Sequence, residues 1–152
     1  MTPVRMVPIS QSERDQFLAM AVQYFSELNE SFTPDRDWEQ HYFETILART
    51  NVFLRWIVSG GERAGFILFG IETHRFQPRK SGTVYELYVT PGFRGRGIAR
   101  ACAAQAITEL WELGPSKIEL EVVEGNAKAL GLWKSIGFCK ASERFVLRDR
   151  AS

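Results

Sequence analysis

Arg94, Arg96 and Arg100 are interleaved with Gly95, Gly97, Ile98 and Ala99 in a short basic stretch, which leaves an apolar run ending at Val89 and enters a helical pattern. Glycines free the backbone to turn its N–H groups inward. A helix N-terminus adds unpaired N–H groups and the positive end of the helix dipole. Together these are groups for holding phosphate.

The elements that must position these groups read as mixed α and β. Val4 to Ile9 is strand-like, and Ser10 with Glu13 forms a capping box before a helix carrying Phe17, Ala21, Tyr24 and Leu28 on one face and ending near Asn29. Thr33 and Pro34 suit the N-cap and first residue of a second helix, with Trp38, Tyr42 and Ile46 on one face, fading around Thr50. Asn51 to Val58 and Ala64 to Glu72 are strands on either side of a Ser59, Gly60, Gly61, Glu62 hairpin turn. Thr83 to Val89 is the fourth strand, and Ala103, Ala106, Ile107, Leu110 and Trp111 mark the helix after the loop, stopped by Gly114 and Pro115. Residues 117 to 123 form a fifth strand reached by helical crossover, so it should run parallel to 83 to 89. Asn126 to Ile136 is a fourth helix ended by Gly137, and Cys139 to Leu147 reads as a last strand. The fold class is α+β on a mixed sheet.

Composition bounds the setting. With 152 residues and 45% hydrophobic content, residues 1 to 152 read as one domain with a sizeable core. Nineteen Lys and Arg against 18 Asp and Glu give a formal charge of +1, which argues against nucleic acid or an anionic membrane as partner. Cys102 and Cys139 form no metal-spaced cluster, no segment approaches the length of a membrane span, and the N-terminus lacks a signal-peptide pattern, so a cytoplasmic protein is expected. His41 and His74 are isolated, and no metal site is expected.

Other phosphate loops fit less well. A P-loop needs GxxxxGK followed by Ser or Thr, which is missing here. A dinucleotide GxGxxG is approached by Gly95 to Arg100, with Glu119 or Glu121 as the ribose acid. Arg100 takes the third glycine position, however, and the first glycine lies several residues past its strand. Loop glycines such as Gly92, Gly95 and Gly97 can also simply turn a chain.

The register lifts the loop above that plain reading. Arg94, Gly97 and Ala99 follow the pattern Q or R, x, x, G, x, G or A, preceded by Leu87, Val89 and Pro91 and followed by Asn126, Ala129, Gly137 and Phe138. From about residue 83 to 138 the chain resembles the GCN5-related N-acetyltransferase (GNAT) family. The resemblance implies a single α+β domain with a mixed, mostly antiparallel sheet, about four flanking helices, and a central parallel strand pair splayed to bind acetyl-CoA. It implies that backbone groups of the strand segment Leu87, Tyr88 and Val89 pair with the pantetheine arm. The N–H at Leu87 would polarise the acetyl carbonyl, and N–H groups from Gly95 to Arg100 would surround the pyrophosphate, with Arg94, Arg96 and Arg100 adding charge.

Further roles follow from the same resemblance. Asn126 would contact pantetheine, although an Asn before a helix is also an ordinary N-cap. Trp133 stands where the family commonly has a tyrosine that protonates the departing thiolate. Indole has no phenolic proton, so Trp133 is left to pack against the cofactor or a helix face. The expected reaction is direct attack of a neutral amine on the thioester in a ternary complex. Glu121 holds a position that supplies the base in some relatives, and Glu86 is its rival; strand alternation leaves open which one faces the substrate. The acceptor pocket would form around helices one and two, with Tyr24, Phe25, Phe32, Trp38, Tyr42 and Phe43. Glu27, Glu30, Asp35 and Asp37 nearby would suit a cationic small-molecule or protein amine, and a homodimer stays open. A catalytically silent CoA-binding regulatory module is the alternative.

Overall fold

In the computed structural model, residues 2–150 are described. Five strands form one sheet in the order β1 (Val4–Pro8), β2 (Val52–Ser59), β3 (Glu62–Thr73), β4 (Lys80–Val89) and β5 (Lys117–Leu120). The first four are antiparallel neighbours, and β4 with β5 is parallel, as the helical crossover requires. The β2–β3 hairpin turns through Gly60 and Gly61, both at positive φ, 60° and 79°, which suits a tight turn between twisted strands.

Helix α1 (Arg14–Leu28) follows a 3₁₀ turn at Gln11–Glu13. The Ser10 N–H donates to Glu13 Oε1 at 2.9 Å, one half of the expected capping box. Helix α2 (Arg36–Leu47) starts two residues later than Thr33 and Pro34 suggest. Asp35 is its cap, its carboxylate accepting from the Trp38 N–H at 2.8 Å. A carboxylate at the positive end of the helix is at least as good a cap as threonine. Helices α1 and α2 cover one face of the sheet, where Phe17 packs on Tyr42, Phe43, Trp56 and Phe66. Helices α3 (Ile98–Glu112) and α4 (Ala127–Ile136) cover the other, over Ile57, Ile67, Phe69 and Val84.

Two strand expectations are corrected. Cys139 to Leu147 forms no strand, and Phe145 and Leu147 are exposed, 88% and 85%. Phe145, Val146 and Leu147 are residue types that suit a strand, but residues 139–147 do not pair with the sheet, and pairing is what makes a strand. The parallel pair therefore lies at the sheet edge, with β5 outermost among the described residues. Strand β5 also stops at Leu120, leaving Glu121 to Val123 outside it.

The end of β5 has a cause in β4. The β3–β4 register runs Leu68↔Glu86, then Phe69↔Val84, so Tyr85 is the extra residue of a β-bulge. Bulges bend and twist a strand. The ladder to β5 ends at Val84↔Leu120, beside the bulge, and β4 continues alone to Val89.

Helix α3 is pinned to the sheet by charge. The Arg55 guanidinium donates to both Glu109 carboxylate oxygens at 2.6 Å, and it lies 5.1 and 5.2 Å from the Phe53 and Phe69 ring centres. Glu109→Ala would strand that cation on a mostly apolar surface. The expected loss is about 2 kcal/mol, less than the roughly 3–5 kcal/mol of a fully buried pair because both groups keep some solvent contact. Urea titration reads it as a lower midpoint with an unchanged slope.

Candidate active site

The bulge and the turn after β4 build an open cleft. The Thr90 N–H donates to the Ala64 carbonyl at 2.8 Å, which fixes the alternation of the β3–β4 ladder. Glu86 and Tyr88 therefore bond β3 through their backbones, and the backbone groups of Leu87 and Val89 point to the side that β5 has left. Side chains alternate the other way. Leu87 and Val89 pack toward α3, whereas Glu86 and Tyr88 face α1.

Beyond Val89, Pro91–Phe93 makes a 3₁₀ turn, and Gly95 and Gly97 take φ of 77° and 76°. A Cβ at either glycine would meet nothing within 4 Å, so glycine is there for its conformation and not for want of space. Gly97 is the N-cap of α3 and offers no side-chain cap. The first backbone bond of that helix is Ala101 N–H to the Gly97 carbonyl at 3.0 Å. The N–H groups of Ile98, Ala99 and Arg100 precede it and have no intrahelical acceptor. The residues that carry them line a cleft of about 290 Å³ together with Val89, Phe93, Arg94, Gly95, Gly97 and Leu132.

The loop arginines are already engaged within the protein. Arg94 Nε donates to the Val89 carbonyl at 2.8 Å, and its Nη2 to Glu27 Oε1 at 2.7 Å. Arg96 donates to the Gly92 carbonyl at 3.0 Å and lies over the Phe93 ring, and Arg100 reaches the Ser135 hydroxyl on α4.

The two candidate bases occupy different surroundings. Glu86 is largely buried, accepts from the Tyr24 hydroxyl through Oε2, and lies near Tyr42. Burial raises its pKa above the ordinary carboxylate value, and the Tyr24 hydrogen bond offsets only part of that. Burial and the Glu86 charge push the Tyr24 and Tyr42 hydroxyls upward, so both stay protonated. Glu121 lies just past β5, its side chain 78% exposed and paired with Arg144 at 3.1 Å. Asn126 caps α4, accepting from the Ala129 N–H at 3.2 Å. Trp133 is 7% exposed and packs edge-on against Phe138 in the α3–α4 core. Neither Asn126 nor Trp133 is among the residues lining the cleft, where Leu132 represents α4.

Of the aromatic residues expected near the acceptor, Phe43 is a core residue packed on Phe17, 1% exposed, and Tyr24 packs on Phe25. Phe25, Phe32, Trp38 and Tyr42 form a partly exposed cluster in which Trp38 stacks on Tyr42, centres 5.0 Å apart. Cys102 is buried and its thiol is pushed up to about 12, mainly by burial and against the pull of Arg55, which suits packing and not nucleophilic attack. Among the described residues, no group of three or more His, Cys, Asp or Glu is placed to hold a metal ion.

Sequence reasoning missed one set of contacts. Tyr24 on α1 donates to Glu86 on β4, and Tyr88 on β4 donates back to Glu27 on α1 at 2.6 Å. The residues sit one helical turn apart on α1 and two apart on β4, so each pair shares a face. That spacing puts each pair on one face without saying that the two faces meet.

A strand edge opened by a bulge, running into an uncapped helix N-terminus, is a frame for a long phosphorylated ligand. A model of the Acetyltransferase (GNAT) family matches residues 15–138. The chain belongs to the GNAT family. It is 24% identical over 131 residues to an uncharacterized N-acetyltransferase of Methanocaldococcus jannaschii, covering 86% of this chain and 58% of that protein. It is 36% identical over 94 residues to an acetyltransferase of Pectobacterium atrosepticum, covering 59% of this chain and 62% of that one. The chain thus spans less than two thirds of the length of either curated relative. Its GNAT fold is similar to that of an aminoglycoside N-acetyltransferase solved in complex with CoA, with a TM-score of 0.76 at 15% identity over 99% of this chain and 97% of that one.

Proposed function

We propose that this GNAT chain transfers the acetyl group of acetyl-CoA to an amine by direct attack in a ternary complex. The observation that carries the reading is continuity: the Leu87 to Val89 edge, which β5 does not pair, ends at Val89, and Val89 lines the same cleft as Ile98, Ala99 and Arg100 at the uncapped start of α3. These residues fit CoA in kind, an amide-bearing arm against a strand edge and a diphosphate against a helix N-terminus. When bound, acetyl-CoA supplies an activated thioester.

The chain's residues then have distinct tasks. Backbone groups from Gly95 to Arg100 hold the diphosphate. Leu87 and Val89 orient the arm through their backbones, and the Leu87 N–H acts as an oxyanion donor. Tyr88 contributes its backbone to β4 while its ring braces α1. Asn126 and Trp133 are assigned to shaping the α4 side of the cofactor site.

Glu86 is the proposed base. One of its oxygens is held by Tyr24, and it sits beside the aromatic cluster, where it can take the proton that an alkylammonium must lose. Glu121 is the rival and would first have to leave Arg144. The proposed acceptor is a small-molecule or protein amine. The alternative, a catalytically silent CoA-binding regulatory module, is favoured by one observation: a core-packed Trp133 has no proton to give the departing thiolate. A thiol with a pKa of about 8.5 can nevertheless leave as thiolate.

Thiol release from acetyl-CoA across a panel of amines tests the assignment. Amine-dependent release supports the enzyme, and saturable CoA binding without release supports the silent module. If neither CoA nor acetyl-CoA raised the melting temperature, both readings would fail.

A further inference from the structure

The reciprocal Tyr–Glu contacts tie together two parts of the molecule with separate tasks. Glu27 stands in the last turn of α1, just before the connection that carries Phe32 toward Trp38 and the rest of the aromatic cluster. Its two carboxylate oxygens are divided: Oε2 accepts from the Tyr88 hydroxyl at 2.6 Å, and Oε1 accepts from Arg94 Nη2 at 2.7 Å. Arg94 continues the chain of contacts, lying 5.5 Å from the Tyr88 ring centre and donating from Nε to the Val89 carbonyl. One turn earlier on α1, Tyr24 repeats the attachment in reverse through Glu86, with its ring 5.4 Å from that of Tyr88.

We propose that Glu27 is a positioning residue that couples the phosphate loop to the acceptor side, so that a ligand seated on residues 94–100 orders the α1–α2 connection. The inference rests on CoA binding as assigned above. Glu27 acts through the two side chains it holds, Arg94 of the loop and Tyr88 of β4. Its carboxylate is suited to the task. Burial acts to raise its pKa, but hydrogen bonds from Tyr88 and Arg94, with the charges of Arg94 and Lys128, outweigh that and hold it below the ordinary value. It stays ionised at neutral pH. Tyr88, pushed up to about 12 mainly by burial, stays a donor. A charge-assisted fork of this kind is shorter and stronger than a neutral hydrogen bond, and it holds direction as well as distance.

Hydrogen exchange with CoA itself as the probe tests the coupling. Site-to-site coupling generally amounts to about 5–150-fold, so CoA should slow exchange at residues 25–35 by at least about fivefold in the parent chain, besides protecting 94–100. In Glu27→Ala the protection at 94–100 should persist while that at 25–35 falls below about twofold, a loss of the coupling and not of the site. Tyr88→Phe removes a single hydroxyl with little change of shape and should give an intermediate result; it serves if Glu27→Ala does not fold. Parent-like spread of protection in both variants would overturn the proposal, as would CoA protection confined to 94–100 in the parent chain. Absence of any CoA binding by calorimetry would overturn the cofactor assignment and the coupling together, which separates the two kinds of failure.

Discussion

Glu86→Gln is expected to lower amine-dependent thiol release by about 10²-fold or more, the range in which a positioned general base contributes, while CoA binding by calorimetry stays at the parent level. The substitution keeps the side chain's shape and can keep a hydrogen bond with Tyr24, so the loss reports the missing proton acceptor. The pH profile supplies the sign. Only ionised Glu86 can accept a proton, and burial places its pKa above the ordinary carboxylate range. Activity should therefore rise with pH through that raised value, and this acid limb should vanish in Glu86→Gln. In Tyr24→Phe the limb should move to higher pH, because the hydroxyl that favours the charged form is gone. A parent-like rate in Glu86→Gln would remove Glu86 from the mechanism and return Glu121 to consideration.

Gly65→Ala should be the most damaging methyl group that can be added to the sheet. Gly65 lies opposite Val89 in the β3–β4 ladder. A Cβ there would fall 1.8 Å from the Tyr88 carbonyl oxygen and 3.0 Å from the Val89 Cα, and neither is the movable end of a side chain. Overpacking typically costs about 1–3 kcal/mol, and a clash with backbone belongs at the upper end. At roughly 2–4 °C per kcal/mol for a domain of this size, the melting temperature should fall by about 6–12 °C. The strand that must yield carries Tyr88 and Val89, so CoA affinity should fall with it. Stability lost with CoA affinity preserved would mean that the strain is relieved elsewhere than in β4.

What the sequence made legible were features written in backbone chemistry. Gly60 with Gly61, and Gly95 with Gly97, announce conformations that other residues rarely take, and all four have positive φ. The order of helices and strands up to Ile136 followed from apolar period and caps. What stayed hidden depends on partners remote in the chain. Tyr24 and Glu86 are 62 residues apart, and nothing local to either says that they meet. The bulge at Tyr85 consists of a mismatch between two strands, so neither strand alone reveals it. The run ending at Leu147 has residue types that suit a strand, but composition alone does not decide whether a run pairs with a sheet. Strand alternation likewise left open whether Glu121 or its rival Glu86 faces the substrate, and their surroundings reverse that order, Glu86 bonded to Tyr24 beneath α1 and Glu121 in solvent beside Arg144.

The parting of β4 from β5 carries a liability of its own. A row of unpaired amide and carbonyl groups invites any extended polypeptide, and natural sheets shield such rows with charged side chains. Arg94, folded back over the Val89 carbonyl, is a cover of that kind. It follows that the opening wide enough for a slender ligand also sets a solubility requirement on its neighbours. A change at Arg94 should therefore be judged by aggregation in the ligand-free state as well as by binding.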